Sequence, residues 1–183
     1  MPELVIWSTL AAALGVTELV FAGRGRRDDP DARASDLLAV SATVAALTAP
    51  VAAGLAGIAH ADPVSAIVGC CLATGGIVLR VAAMAGLRGR YHLTPQTEPE
   101  APFLVIDGVY AVVRHPGYLA LLAVLAGLAV VAAGPLGLLA LPPVAAAALL
   151  RIAGEERILA GEFGEEYERY RARVTGRLVP WLY

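Results

Sequence analysis

Three residues in a row, Arg114, His115 and Pro116, stand immediately ahead of a long apolar run that begins at Tyr118. Proline has no N–H to donate and fits the first turn of a helix. Arg114 and His115 therefore fall just outside a helix N-terminus, where unpaired N–H groups and the helix dipole favour a carboxylate. A ligand carrying a carboxylate beside an amine suits such a place; a basic anchor at a membrane edge is the other reading. A second charged pair, Glu155-Glu156, closes a later apolar segment. Neighbours on a helix point about 100° apart, so at most one of them looks squarely into a shared cleft, and Arg151, four residues earlier, is placed to pair with Glu155. The third candidate is Arg80, set about two turns inside an apolar run. A charge at that depth is costly and marks function by default, although its stem is long enough to snorkel to the headgroups. Glu18, at a similar depth in the first apolar run, reads as a pairing or interfacial residue.

The elements that must position these residues are helices in a bilayer. Of 183 residues, 58% are hydrophobic and only 16% charged, with a mean hydropathy of +0.68. A water-soluble domain carries about 45–50% apolar and about 25% charged residues, which excludes a single soluble core. The net charge of −2 decides nothing, and every basic side chain is an arginine. Adjacent Cys70 and Cys71 neither pair nor form a spaced metal-ligand set, and read as small core residues.

A span needs about 20 apolar residues. Leu4 to Ala22 fits and reads as a membrane helix rather than a cleaved signal, because Glu3 stands where a basic stretch would precede one. Leu37 to Ala59, with a kink at Pro50, and Val64 to Leu87 are the next two, joined by a turn at His60-Ala61-Asp62-Pro63. Tyr118 to Ala133 and Leu136 to Ile152, broken at Gly134-Pro135, are each short and together suggest a tight helical hairpin. From Glu155 the tail is charged and helical in pattern, with Ile158, Leu159 and Phe163 on one face. Apart from Arg80, the arginines fall in 24–33, 88–90 with 114, and 151–177, and none in the turns at 60–63 and 134–135. Basic loops mark the cytoplasmic side. The expected fold is an all-α integral membrane protein of about five transmembrane segments, N-terminus outside, with a cytoplasmic cofactor pocket; residues 1–63 are N-terminal membrane helices and 64–183 the core.

Taken in order, Leu79-Arg80-Val81-Ala82-Ala83-Met84, Leu104-Val105-Ile106-Asp107-Gly108-Val109-Tyr110, Arg114-His115-Pro116-Gly117-Tyr118, Glu155-Glu156, Phe163-Gly164-Glu165-Glu166-Tyr167 with Tyr170, and Arg177-Leu178-Val179-Pro180 form a set that resembles the isoprenylcysteine carboxyl methyltransferase family, relatives of the phospholipid methyltransferases. Each piece is weak alone; the ordered set, spanning Leu79 to Pro180, is specific. Ala120 and Val109 depart from the family, which often has Gly and Pro there. The resemblance implies methyl transfer from S-adenosylmethionine, with Tyr110, His115, Pro116, Tyr118, Glu155 and Glu156 holding the cofactor and His92 near a family histidine in the loop that covers it. It also implies Arg80 beside the reacting groups, with Arg114 as the second catalytic candidate, and no metal.

The acceptor implied is lipophilic, reaching the site from the bilayer, and a carboxylate is favoured: an isoprenylcysteine-like group, another isoprenoid or a fatty acid. An ionised carboxylate is already nucleophilic and needs no general base, whereas an amine or hydroxyl must lose a proton. Alternatives are a phospholipid headgroup amine methyltransferase and a non-enzymatic binding module on the same scaffold.

Overall fold

The structure, a computed structural model, describes residues 30–88 and 104–180, with side chains from 41 to 87 and from 104 onward. The first expected span, Glu18, the arginines at 24–27 and His92 lie outside the described residues. The architecture is all-helical: α1 (Pro30–Leu55), α2 (Pro63–Arg88), a 3-10 turn at Gly108–Ala111, α3 (Pro116–Ala133), a 3-10 segment at Gly134–Ala140, α4 (Pro142–Phe163) and α5 (Glu165–Arg173). No strand occurs among the described residues.

Local chemistry sets the boundaries. Asp62 opens α2, its Oδ1 accepting the backbone N–H groups of Val64 and Ser65 at 2.9 and 3.1 Å, as a capping side chain does for the unpaired donors of a first turn. Helix α1 ends at Leu55, earlier than the expected Ala59, because the chain turns out through a positive φ at Gly57. The expected run Leu136–Ile152 is divided differently. Pro142 and Pro143 cannot donate to the preceding turn, so a 3-10 segment follows α3 and α4 starts afresh at Pro142. Two stretches among the described residues are long and apolar enough to cross a membrane, Pro63–Leu87 and Pro116–Ala140, with mean hydropathies of 2.0 and 2.4; Ser41–Leu55 is a shorter apolar helix. Helix α4 fails that test because Arg151, Glu155, Glu156, Arg157 and Glu162 load its second half.

The dominant packing is α2 on α3, and small residues make it possible. A Cβ on Gly69 would lie 2.7 Å from the Gly127 carbonyl oxygen, and one on Gly76 would lie 2.9 Å from that of Ala120. The two backbones thus touch along a seam completed by Ala73 and Ala120, both fully buried. In lipid, where apolar side chains gain little by leaving their surroundings, such close approach is a main source of helix association. The opposite face of α2 presents Val64, Ile67, Val68, Val78 and Val81, all more than half exposed. Cys71 belongs to that outer side and Cys70 is half-buried, so neither is the core residue expected. Helix α1 lies against both α3 and α4, with Ala46 meeting Val124, Leu125, Leu128 and Val144 in one core cluster.

A second, smaller cluster closes the far end. Leu104, Tyr167, Tyr170 and Val174 pack together against Leu159, Ala160 and Phe163. Ile158, expected on that same face, is 65% exposed instead. The chain then runs from α5 through 174–180 back to the turn ahead of α3.

Candidate active site

The start of α3 is the meeting point. Pro116 occupies the first helical position, and His115 precedes it as the N-cap without a side-chain capping bond. The imidazole is instead turned toward α4, where the two glutamates approach from either side: Glu155 Oε2 lies 3.6 Å from Nδ1 and Glu156 Oε1 lies 3.4 Å from Nε2. The ring is 6% exposed, and its Nε2 makes no hydrogen bond. Both glutamates thus reach the same histidine, but they do so in different surroundings.

Glu156 is buried, its side chain only 7% exposed. Arg114 grips its Oε1 through Nε at 2.9 Å and Nη2 at 2.8 Å, and Arg177 Nη2 contacts Oε2 at 3.0 Å. Burial works against this carboxylate, but the Arg114 hydrogen bond and the charges of Arg114, Arg177 and His115 outweigh it and hold the carboxyl below its ordinary range. Glu155 is 44% exposed. It accepts a hydrogen bond from the Tyr118 hydroxyl, and Tyr118 in turn accepts one from Arg151 Nε at 3.2 Å. Tyr118, from α3, thus contacts both Arg151 and Glu155, the two residues expected to pair along the helix. Burial again opposes the Glu155 charge, and bonds from His115 and Tyr118 with the Arg151 charge more than compensate, leaving the carboxyl depressed.

Arg80 arrives from α2. Its Nη1 donates to the Gly117 carbonyl at 3.0 Å, in the first turn of α3. The pass is close, since a Cβ at 117 would stand 3.1 Å from that nitrogen and the arginine would have to give by a few tenths of an ångström. Tyr110 anchors the preceding 3-10 turn. Its hydroxyl donates to Ala83 O on α2 at 3.4 Å and its carbonyl accepts the Tyr170 hydroxyl at 2.8 Å. Burial pushes the Tyr110 phenol up to about 12, so it remains a donor at neutral pH.

Six residues singled out in the sequence, Arg80, Arg114, His115, Tyr118, Glu155 and Glu156, are thus brought together, with Pro116 buried beneath them. Tyr110 lies at the edge, tying α2 to the tail. Arg114 is spent on Glu156 and on the carbonyls of Val174 and Thr175, at 2.6 and 2.8 Å. Two contributors were not singled out as site candidates: Arg177, on Glu156, and Gly117, under Arg80. Arg177 carries a signal in sequence, since it opens the Arg-Leu-Val-Pro motif.

The cluster suits the amino-acid end of S-adenosylmethionine. A helix N-terminus beside Arg80 and Arg151 offers an anion its place, and half-exposed Glu155 offers one to an ammonium group. His115 Nε2 is a buried polar atom with no hydrogen bond of its own. By contrast, a shallow depression of about 550 Å³ lined by Ile106, Glu166, Arg169, Ala172 and Arg173 lies on the outer side of α5 and includes none of these residues.

A histidine held between two glutamates at the start of an apolar helix, with an arginine reaching in from a second apolar helix, defines a polar site built into a helical membrane scaffold. The isoprenylcysteine carboxyl methyltransferase family model matches residues 67–161, just over half of the chain, and the chain belongs to that family. The matched span holds all but the first turn of α2, the Arg-His-Pro turn, α3 and the Glu-Glu pair; α5 and the tail lie beyond it. No curated protein matches the chain. The family is one of methyltransferases, and with two stretches among the described residues apolar and long enough to span a bilayer the chain is a membrane protein of that class.

Proposed function

We propose that this protein transfers a methyl group from S-adenosylmethionine to a carboxylate on a lipophilic acceptor at the cytoplasmic face of the membrane. The observation that carries the reading is the Arg80–Gly117 contact. It brings a cation from a membrane-facing helix to the same first turn that bears His115 and Tyr118, so that a cofactor side and an acceptor side share one helix end.

On this reading the first-turn N–H groups of α3 with Tyr118 and His115 hold the methionine end, and Glu155 takes its ammonium. The bound cofactor supplies an electrophilic methyl on a sulfonium. Arg80, planar and permanently charged, orients an acceptor carboxylate through paired donors. A carboxylate needs no base, and no residue is asked to be one. The chain contributes positioning and exclusion of water, which can account for a large share of a displacement barrier. Arg114, expected as a second catalytic residue, is better placed to hold Glu156 than to meet an acceptor. Pro116 sets the turn, Tyr110 braces it, and His92 remains a candidate for covering the cofactor. Residues 64–183 form the methyltransferase core on this reading, and α3 with α4 its returning hairpin. The orientation proposed, with the N-terminus outside, follows from the arginine-bearing segments, which share one side.

The favoured acceptor is an isoprenylcysteine-like group or another isoprenoid or fatty acid. The test is incubation of purified protein with methyl-labelled S-adenosylmethionine and candidate acceptors, including prenylated carboxylates, fatty acids and phospholipids. Transfer to a carboxylate yields an ester whose label is released by mild alkali; transfer to a headgroup amine is alkali-stable. Alkali-stable label in phospholipid would replace the carboxylate with an amine, and no transfer together with no cofactor binding would remove the enzyme reading.

A further inference from the structure

After α5 the chain does not leave the site. Residues 174–177 lie along the turn ahead of α3 as a strap. The Arg114 backbone N–H donates to Gly176 O at 3.0 Å and the His115 N–H to Arg177 O at 2.9 Å, while the Arg114 side chain takes the carbonyls of Val174 and Thr175. Gly176 lets the strap curl tightly, since a Cβ there would lie 2.5 Å from Val179 O. From this strap Arg177, 27% exposed, reaches the Glu156 oxygen that Arg114 leaves uncovered. All of it lies beyond the span that the family model matches.

The two glutamates therefore cannot do the same work. Glu155 has one oxygen on Tyr118 and the other 3.6 Å from His115 Nδ1, and it is 44% exposed. Glu156 has both oxygens engaged by guanidinium groups and is closed off from solvent. We infer that Glu155 is the glutamate that faces the cofactor, whereas Glu156 and Arg177 are positioning residues that act through His115, Arg177 holding Glu156 back so that the His115 ring keeps its orientation between the two glutamates. This rests on the proposed cofactor reading. The physical reason is competition. A buried carboxylate that loses one of its cations keeps its charge and seeks another donor. Two buried donors without a hydrogen bond stand by it, the Tyr167 hydroxyl and His115 Nε2, the latter 3.4 Å from Oε1 and the one that the site uses. Removing Arg177 frees Oε2 to swing onto that nitrogen and turn the ring out of its setting.

Binding of S-adenosylhomocysteine to the full-length protein in nanodiscs, measured by calorimetry, tests this in wild type, Arg177→Ala, Arg177→Lys, His115→Ala and the His115→Ala/Arg177→Ala double variant. Thermal unfolding serves as the control for fold, with Arg177→Gln in place of the alanine variant should that one fail to fold. Arg177→Ala loses tenfold or more in affinity, Arg177→Lys recovers most of it, and in the His115→Ala background the Arg177 substitution changes affinity less than twofold. Wild-type affinity in Arg177→Ala, or an equal loss in both backgrounds, overturns the inference and leaves the strap as packing alone. Nitrogen-15 histidine NMR on ligand-free protein separates this from failure of the cofactor reading. If wild type does not bind S-adenosylhomocysteine, the cofactor reading falls; an Arg177→Ala variant whose His115 ring resonances match wild type sinks the positioning claim independently.

Discussion

The two sides of α3 are built on opposite principles. Along its α2 face, Gly127, Val124 and Ala120 meet Gly69, Ala73 and Gly76 with no charge and almost no side chain between the backbones. At its first turn, two carboxylates, two arginines and a histidine are crowded into a buried cluster. The first arrangement gains its energy from dispersion and close approach, which tolerate no added atom. The second spends energy on desolvating charges and recovers it only because each charge has a partner. Damage should therefore differ in kind. Seam variants lose the scaffold and everything on it, whereas variants at the ligand-facing part of the cluster keep the scaffold and lose a ligand or a rate, and only its buried Arg114–Glu156 pair adds a cost in stability.

The largest effect is expected at the seam. Gly127→Leu places a side chain where the Ala73 and Gly69 backbones already stand. It should cost more than about 3 kcal/mol, the upper range for overpacking that cannot relax, read as loss of cooperative unfolding in detergent. A folded, stable Gly127→Leu would break the comparison. Next, Arg114→Met leaves buried Glu156 with half its cations and should cost about 3–5 kcal/mol, the scale for one partner of a buried pair. Methionine keeps the bulk, so a small loss would show the pair to be dispensable.

Arg80→Lys should leave folding and S-adenosylhomocysteine affinity nearly intact and lower turnover tenfold or more, about 1.4 kcal/mol of barrier. Lysine keeps charge and length but not the planar fork of donors, so full activity in that variant would make Arg80 a membrane-edge anchor. The smallest effect concerns pH. Burial opposes the Glu156 charge, but Arg114 leads the interactions that bring its folded pKa below the ordinary 4.5. A depressed acid stabilises fully above its unfolded pKa and loses that contribution as pH falls through the folded one. Melting temperature should thus drop as pH is lowered beneath about 4.5, and Glu156→Gln, less stable at neutral pH, should show a flatter acid limb. Parallel acid limbs would mean that Glu156 gains nothing from its partners.

Legibility in sequence followed the same divide. The Arg-His-Pro turn was readable because a proline, a cation pair and an apolar run are local features. So were α2 and α3, whose long apolar stretches outweigh any competing pattern. The division between Glu155 and Glu156 was not, since it depends on where Arg177, 21 residues further along the chain from Glu156, returns in space. The seam was hidden in a chain already rich in Ala and Gly, where a packing glycine looks like composition. The expected face of Ile158, Leu159 and Phe163 failed at Ile158 because consecutive residues diverge by about 100° and the tyrosines of α5 cover only one of the two. Pro142-Pro143 lay inside the run expected from Leu136 to Ile152, where the apolarity on both sides masked the helix restart and the 3-10 segment before it.

The central claim is that the first turn of α3 binds the amino-acid end of S-adenosylmethionine. Calorimetry of S-adenosylhomocysteine with purified wild type and His115→Ala tests it most directly. The account predicts saturable binding to wild type and a loss of about 1–3 kcal/mol in the variant, the scale for a hydrogen bond to a charged group, with the melting temperature little changed. Undiminished affinity in a folded His115→Ala would contradict it and send the cofactor elsewhere on the molecule.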